Sequence, residues 1–341
     1  MGPRLVLLAA GRSTRYGAPK QVAPLGPGGA SLTAYTVVDA LRAGFQEVVV
    51  VANRELQPRI RAHLEEALGR DLPLRWAHQE REDVPAPLAH LSALRRKPWG
   101  TAQAILSAGP HLPTPFGVAN ADDWYGPEAL SELFRILSSP EAFPATPPVR
   151  SPDSPRGAES ARTEGRRTGD GNGQNAPRIC PAVAVGYPME ATLSPSGGVS
   201  RGWIKADEDD RVHRVLELRE VRAGSGGRML GVDPDGHPVA IPPGTPASMN
   251  LWGFHPCLLP LLEEAFHSFL LEMGADGTSE FALSNAVDLL LEEGFLELRL
   301  IPGGKRWFGV THPGDAESVS RRLEALHRDG TYATPLSRTL G

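Results

Sequence analysis

The sequence predicts an α/β protein: a doubly wound, mostly parallel sheet in the first half and a mixed sheet extension in the second. Three observations carry this expectation. Unbroken apolar runs at residues 5–8, 47–52 and 116–121 have the length and continuity of strands buried on both faces. Stretches with helical spacing, at 31–42 and 56–68, separate the strands in strand–helix–strand order. Beyond residue 179 the apolar stretches are instead broken by turn residues, as at 207–210, which predicts hairpins.

Taken in order, residues 5–8 form the first strand and 24–29 a turn. Ser31 is placed to cap a helix running to about Arg42, and Gly44 to end it. Residues 47–52 are the second strand, 56–68 a helix and 74–76 a third strand. A polar, Pro-containing loop over 78–96 precedes a helix ending near Ala108. The strand at 116–121 ends in Asp122-Asp123, and 125–137 reads as a helix. Residues 144–178 hold six Pro and six Arg, with Val149 as the sole large aliphatic residue, so this stretch has too little apolar surface to offset its ordering entropy and is expected to be disordered. Strands follow at 179–187, at 203–205 paired with 212–218, and at 248–254. Helices at 258–271 and 285–293, strands at 296–301 and 306–310, and a helix at 319–326 complete the chain. No internal repeat is present. The organisation is one domain in two halves, 1–143 and 179–341, with 144–178 inserted between them.

At 341 residues and 36.5 kDa the chain can bury a full core. A formal net charge of −5 leaves no overall basic footprint for nucleic acid, and the arginines of 144–178 are interleaved with acids and lack aromatics. Cys180 and Cys257 cannot make a disulfide framework, and no Cys/His cluster has zinc spacing. No apolar run is long enough to span a bilayer, and the N-terminus is a strand rather than a charged segment with a cleavage site. A cytoplasmic protein is the expectation.

The chemistry concentrates at 5–21. Ala9, Ala10 and Gly11 let a backbone approach a ligand closely. Ser13, Thr14, Arg15, Gly17 and Lys20 follow with almost no apolar bulk. Flexible glycines that turn N–H groups inward, with cations able to reach outer oxygens, suit a polyphosphate. An ordinary strand-to-helix turn with a surface Arg and Lys would use the same residues. A P-loop is excluded, because five residues separate Gly11 from Gly17 and no Gly-Lys-Ser/Thr follows. The dinucleotide fingerprint is absent as well. Paired carboxylates at the end of a strand, over such a loop, suit Mg²⁺, whose coordination shell includes waters and phosphate oxygens. In an extended strand the two side chains point to opposite faces, so one of them is the direct ligand. The same acids would also suit the start of the following helix.

Leu8-Ala9-Ala10-Gly11, Ser13-Thr14-Arg15 and Pro19-Lys20-Gln21 resemble the signature loop of the sugar-1-phosphate nucleotidyltransferases. The resemblance continues through Pro98-Trp99-Gly100-Thr101, Asn120-Ala121-Asp122-Asp123, residues 248–254, Ser279-Glu280-Phe281 and 307–311. It covers the chain outside the insertion and matches a subgroup of unsettled substrate. It implies a Rossmann-like, nucleotide-diphospho-sugar transferase fold whose second half binds the acceptor. It also implies transfer of NMP from a nucleoside triphosphate to a phosphorylated small-molecule acceptor, with Mg²⁺ as cofactor. A sugar-1-phosphate is the expected acceptor. A cytidylyltransferase for a polyol or choline phosphate is the alternative, since Gln21 is reminiscent of that branch. No nucleic-acid or membrane partner is expected, and homo-oligomerisation is left open.

Residue by residue, the resemblance implies that Arg15 and Lys20 stabilise charge in catalysis and that Ala10, Gly11, Ser13 and Thr14 cradle the nucleotide. Gly100, Thr101 and Gln103 would meet the base, and Asp122 would hold the metal. Gly198, Glu217 and Asn250 would bind the acceptor. The chain also departs from the pattern. Leu218 stands where the family carries a phosphate-binding Lys, Asn285 at an Asp position, and Gly309 where many members have an Asp. Lys305 and Arg306 are candidates for the acceptor-phosphate cation, and Asp288 for a second carboxylate. These departures also motivate a third reading, a nucleotide-sugar-binding regulator without catalysis.

Overall fold

The computed structural model describes residues 2–11, 19–148, 178–224, 228–310 and 312–340. Four parallel strands form its nucleus in the order β3–β2–β1–β4, with β1 at Arg4–Leu8, β2 at Val48–Ala52, β3 at Leu74–His78 and β4 at Phe116–Asn120. Alternate residues of these strands enter two separate cores: Leu5, Leu7, Val48 and Val50 face one side, Val6, Val49 and Val51 the other. Each is fully buried, and a buried side chain of this kind contributes about 1.5–3 kcal/mol. The first face is covered by α1 (Leu32–Ala43), α2 (Gln57–Leu68) and α4 (Pro127–Leu137); the second by α3 (Thr101–Ala108). This is the doubly wound arrangement that the apolar runs predict. The caps of α1 are those expected: Ser31 Oγ accepts from the Ala34 N–H, and Gly44 takes the left-handed conformation at the C-terminus.

The second half continues the same sheet. Strand β5 (Asp123–Trp124) leaves it, and β6 (Cys180–Pro188) rejoins it. The hairpin of β7 (Val199–Ala206) and β8 (Val212–Ala223) extends into β9 (Met229–Val232) and β10 (Pro238–Ile241), a second hairpin that the sequence reading misses. Strand β11 (Pro246–Phe254) joins the halves. Its first residues pair with β7, its last with β4, and both ends with β6. All of these β11 pairings are antiparallel, so the sheet is mixed as predicted. Helices α5 (Leu258–Met273) and α6 (Leu283–Glu292) join α3 on the second face, β12 (Leu296–Pro302) pairs with β6, and β13 (Phe308–Gly309) pairs with β5. Helix α7 (Ala316–Arg328) closes the first face. No helix among the described residues is long and apolar enough to cross a membrane.

Residues 149–177, most of the segment expected to be disordered, lie outside the described residues. Its flanks meet: Arg178 Nη1 donates to the Pro147 carbonyl at 2.6 Å and the Ile179 N–H to Pro148 at 3.0 Å. The insertion therefore leaves and re-enters the fold at one point. Cys180 and Cys257 are joined as a disulfide between β6 and the start of α5, with Cα atoms 5.9 Å apart. That single link is consistent with the absence of a disulfide framework.

Candidate active site

The chain order of the parallel strands reverses between β1 and β4, so the segments after these two strands diverge from a common crevice at the sheet's carboxyl edge. Such a switch point is where open α/β sheets bind ligands. The β1 strand delivers Ala10, buried, and Gly11, exposed. Ser13, Thr14 and Arg15 lie outside the described residues. Past them, the chain returns with Lys20 and Gln21. Gln21 Nε2 donates to the Gly11 carbonyl at 2.9 Å and so closes the mouth of the loop. Thr33 of α1 completes the frame. Its hydroxyl lies 2.6 Å from the Gln21 carbonyl and 2.9 Å from that of Ala121, tying the loop after β1 to the end of β4. The sequence reading misses Thr33, because a threonine inside a helix carries no signal for such a tie.

These constraints bring Lys20 Nζ within 3.7 Å of Asp122 Oδ2. Lys20 also donates to the Val310 carbonyl, and the Val310 N–H meets the Asp122 carbonyl at 3.4 Å. The Lys20 side chain is 13% exposed, whereas that of Asp122 keeps 37% of its surface open. Burial raises the pKa of Asp122 and the ammonium of Lys20 pulls it back down. The neighbouring carboxylate has a different environment. Asp123 is buried, and its Oδ2 accepts from Asn120 Nδ2 at 2.9 Å and from the Tyr125 hydroxyl at 3.2 Å. Burial and the charge of Asp122 both raise its pKa. Of the two acids, Asp122 has the open oxygen donors that a hard cation such as Mg²⁺ takes. Gly309 is the cross-strand partner of Asp123, and a Cβ at 309 would lie 2.2 Å from Asp123 Oδ1. The space that a side chain at 309 would need is thus filled by the carboxylate of Asp123.

The residues expected on the base are placed differently from one another. Gly100 has φ +121°, and a Cβ there would lie 2.5 Å from the Phe281 carbonyl, so the glycine is required by the backbone. Thr101 Oγ1 accepts the Leu283 N–H at 2.8 Å. Gln103, by contrast, is buried within the fold. Its Oε1 accepts from Gln79 Nε2 at 2.8 Å and its Nε2 donates to Ser107 at 3.2 Å. That network accounts for the buried side chain of Gln103 inside the protein.

On the acceptor side, Glu217 is half-buried and accepts from Ser284 Oγ at 3.4 Å, with its pKa raised by burial and lowered in turn by Ser284 and Arg201. Asn250 sits at φ +58° on an irregularity of β11, between the part paired with β7 and the part paired with β4. Its Oδ1 accepts from Trp252 Nε1 at 3.3 Å, and its Nδ2 has no partner among the described residues. Gly198 is not beside Glu217; a Cβ there would meet Glu220 instead. The cross-strand partner of Glu217 is Gly202, four residues on from Gly198. Asp288 is bound to Arg214 at 3.1 Å and accepts the Val215 N–H at 2.7 Å, which makes it a strut between α6 and β8. Asn285 and Lys305 are exposed, and the guanidinium of Arg306 lies 5.9 Å from the Trp124 ring centroid.

Residues 5–109 match the MobA-like NTP transferase domain. Over this stretch the chain is similar to nucleotidyltransferases. No curated protein gives a significant match. Among solved structures, the inositol-1-phosphate CTP transferase from T. maritima is similar at 10% identity, with a TM-score of 0.53 over 94% of this chain and 96% of that one. The likeness shows the nucleotide-diphospho-sugar transferase fold over 94% of the chain, well beyond the matched NTP transferase domain.

Proposed function

We propose that the protein is a magnesium-dependent nucleotidyltransferase that moves NMP from a nucleoside triphosphate to a phosphorylated small-molecule acceptor. The observation that most supports this is the approach of Lys20 to Asp122 within 3.7 Å across the β1/β4 switch point, at the edge of a matched NTP transferase domain. An oxygen of the acceptor phosphate would form the new bond to the α-phosphorus. The bond from that phosphorus to the bridging oxygen would break, and pyrophosphate would leave with the electron pair. The attacking oxygen is already anionic, so no general base is needed, and catalysis reduces to positioning and charge stabilisation. Asp122 would hold Mg²⁺, which supplies charge neutralisation on the phosphates when bound. Lys20 and Arg15 would stabilise the negative charge growing on the leaving group. Ala10, Gly11, Ser13 and Thr14 would offer backbone and hydroxyl donors to the triphosphate, and Gly100 and Thr101 would border the base. Glu217 and the Nδ2 of Asn250 would orient acceptor hydroxyls.

For the acceptor, the resemblance to sugar-1-phosphate nucleotidyltransferases supports a sugar-1-phosphate. A second reading, CTP with a polyol phosphate, is favoured by the likeness to the T. maritima inositol-1-phosphate CTP transferase. Pyrophosphate release, measured over a panel of triphosphates and phosphorylated sugars and polyols with Mg²⁺, tests both readings. Turnover confined to one triphosphate and one acceptor class is expected. Stabilisation by nucleotide with no pyrophosphate from any pair would favour the regulator instead.

A further inference from the structure

We propose that a recess between β7 and the segment 307–309 binds a phosphate group, with Arg201 as the residue that holds its charge. The inference rests on the nucleotidyl-transfer reading, in which this would be the phosphate of the acceptor. Arg201 is 6% exposed. Its Nε and Nη2 donate to the Thr192 carbonyl at 3.1 and 2.5 Å, and its Nη1 to the Ser200 carbonyl at 2.7 Å. No carboxylate forms an ion pair with it among the described residues. A guanidinium has five N–H donors, of which these bonds use three. Burying a cation without a paired anion is costly, and a planar fork with donors to spare suits a phosphate. Asp123, Glu217 and Asp315 lie near enough to favour its charged form, and although burial pulls its pKa down to about 10, it stays cationic at neutral pH.

The recess itself has the right scale. It measures about 40 Å³, which holds about three water-sized atoms at ~10–15 Å³ each. That matches the oxygens of one phosphate group. Arg201, Trp307, Arg322, Ser194, Gly309 and Asp315 are among its lining residues. Trp307 is 5% exposed and its buried indole N–H has no acceptor among the described residues, an unmet donor that a phosphate oxygen would satisfy. The carboxylate of Asp315 would oppose an anion, but it already accepts from the hydroxyls of Ser194 and Ser196 and from the His312 N–H. Gly309 joins the recess to the reaction centre, because its other side abuts Asp123. Strand β8 offers no cation here. The residue opposite Arg201 is Leu218, fully buried in an apolar cluster.

The test is binding of inorganic phosphate to the full chain, followed by ³¹P NMR titration. It is done in a Lys20→Ala background so that the triphosphate loop contributes little. Arg201→Gln is expected to weaken binding by about tenfold or more, and Trp307→Phe by several-fold. Since the Trp307 N–H has no partner among the described residues, Trp307→Phe keeps the ring packing and remains informative if Arg201→Gln fails to fold. Phosphate affinity unchanged in Trp307→Phe, or in a folded Arg201→Gln, overturns the recess and leaves nucleotidyl transfer standing. Phosphate bound through Arg201 and Trp307, with no pyrophosphate released by the wild-type chain from any triphosphate and acceptor pair, overturns nucleotidyl transfer and leaves the recess.

Discussion

Gly309 and Asp123 share a space that holds only one side chain. Asp123 is held by Asn120 and Tyr125, so it cannot swing away from a Cβ arriving 2.2 Å from its Oδ1. Gly309→Ala is expected to cost about 1–3 kcal/mol of stability, as overpacking does. In an Asp123→Ala background the penalty should shrink to less than half. A double-mutant cycle by urea unfolding measures the coupling, and additive effects would refute the shared-space account. Neither residue alone revealed this. Asp123 reads as one of two strand-end acids and Gly309 as a missing acid, and only the β5–β13 pairing sets one against the other. Arg201 was hidden in a similar way. A charged residue in a strand reads as solvent-facing, and its burial comes from the carbonyl of Thr192 and the ring of Trp307, 5.1 Å from the guanidinium carbon.

At the scale of elements, local signals were legible wherever local chemistry decides the structure. Ser31 and Gly44 bound α1, and the unbroken valines of β2 are buried on both faces. Register was not legible. The one-residue irregularity between Val199 and Arg201 sets Gly202, rather than Trp203, opposite Glu217, and the left-handed Asn250 breaks β11 where it changes neighbours. Such shifts depend on partners distant in sequence. The entry to α3 shows the same dependence. Gly100 passes against Phe281, the Phe281 N–H donates to Trp99 at 2.6 Å, and Ala102 donates back to Phe281 at 3.1 Å. Gly100→Ala adds a backbone clash to an unfavourable φ and is expected to cost about 2 kcal/mol or more. A thermal melt indistinguishable from wild type would show that this strap can relax.

For the whole molecule, the C-terminal segment locks onto the first face through Tyr332. Its hydroxyl donates to Asp39 Oδ2 at 2.6 Å and accepts from Trp124 Nε1 at 2.8 Å. Asp39 is almost fully buried, and burial pushes its carboxyl up to about 7 from an ordinary 3.8. The native state therefore holds this proton more tightly than the unfolded chain does. Its contribution to stability is complete below about pH 4 and is lost as pH rises to about 7, a decline on the order of 2–4 kcal/mol. Asp39→Asn keeps an acceptor for Tyr332 and should flatten that decline in unfolding measured from pH 4 to 7. An unchanged slope would assign the decline to other groups.

The same global architecture carries the functional claim. Two segments about a hundred residues apart converge only because β1 and β4 are neighbours in the sheet, and the account requires Lys20 and Asp122 to act on one triphosphate. Calorimetric titration of nucleoside triphosphate with Mg²⁺ into wild type, Lys20→Ala and Asp122→Asn tests this directly. The account predicts saturable binding to wild type and affinity lower by about tenfold or more in each folded variant. Wild-type affinity in both variants would contradict it.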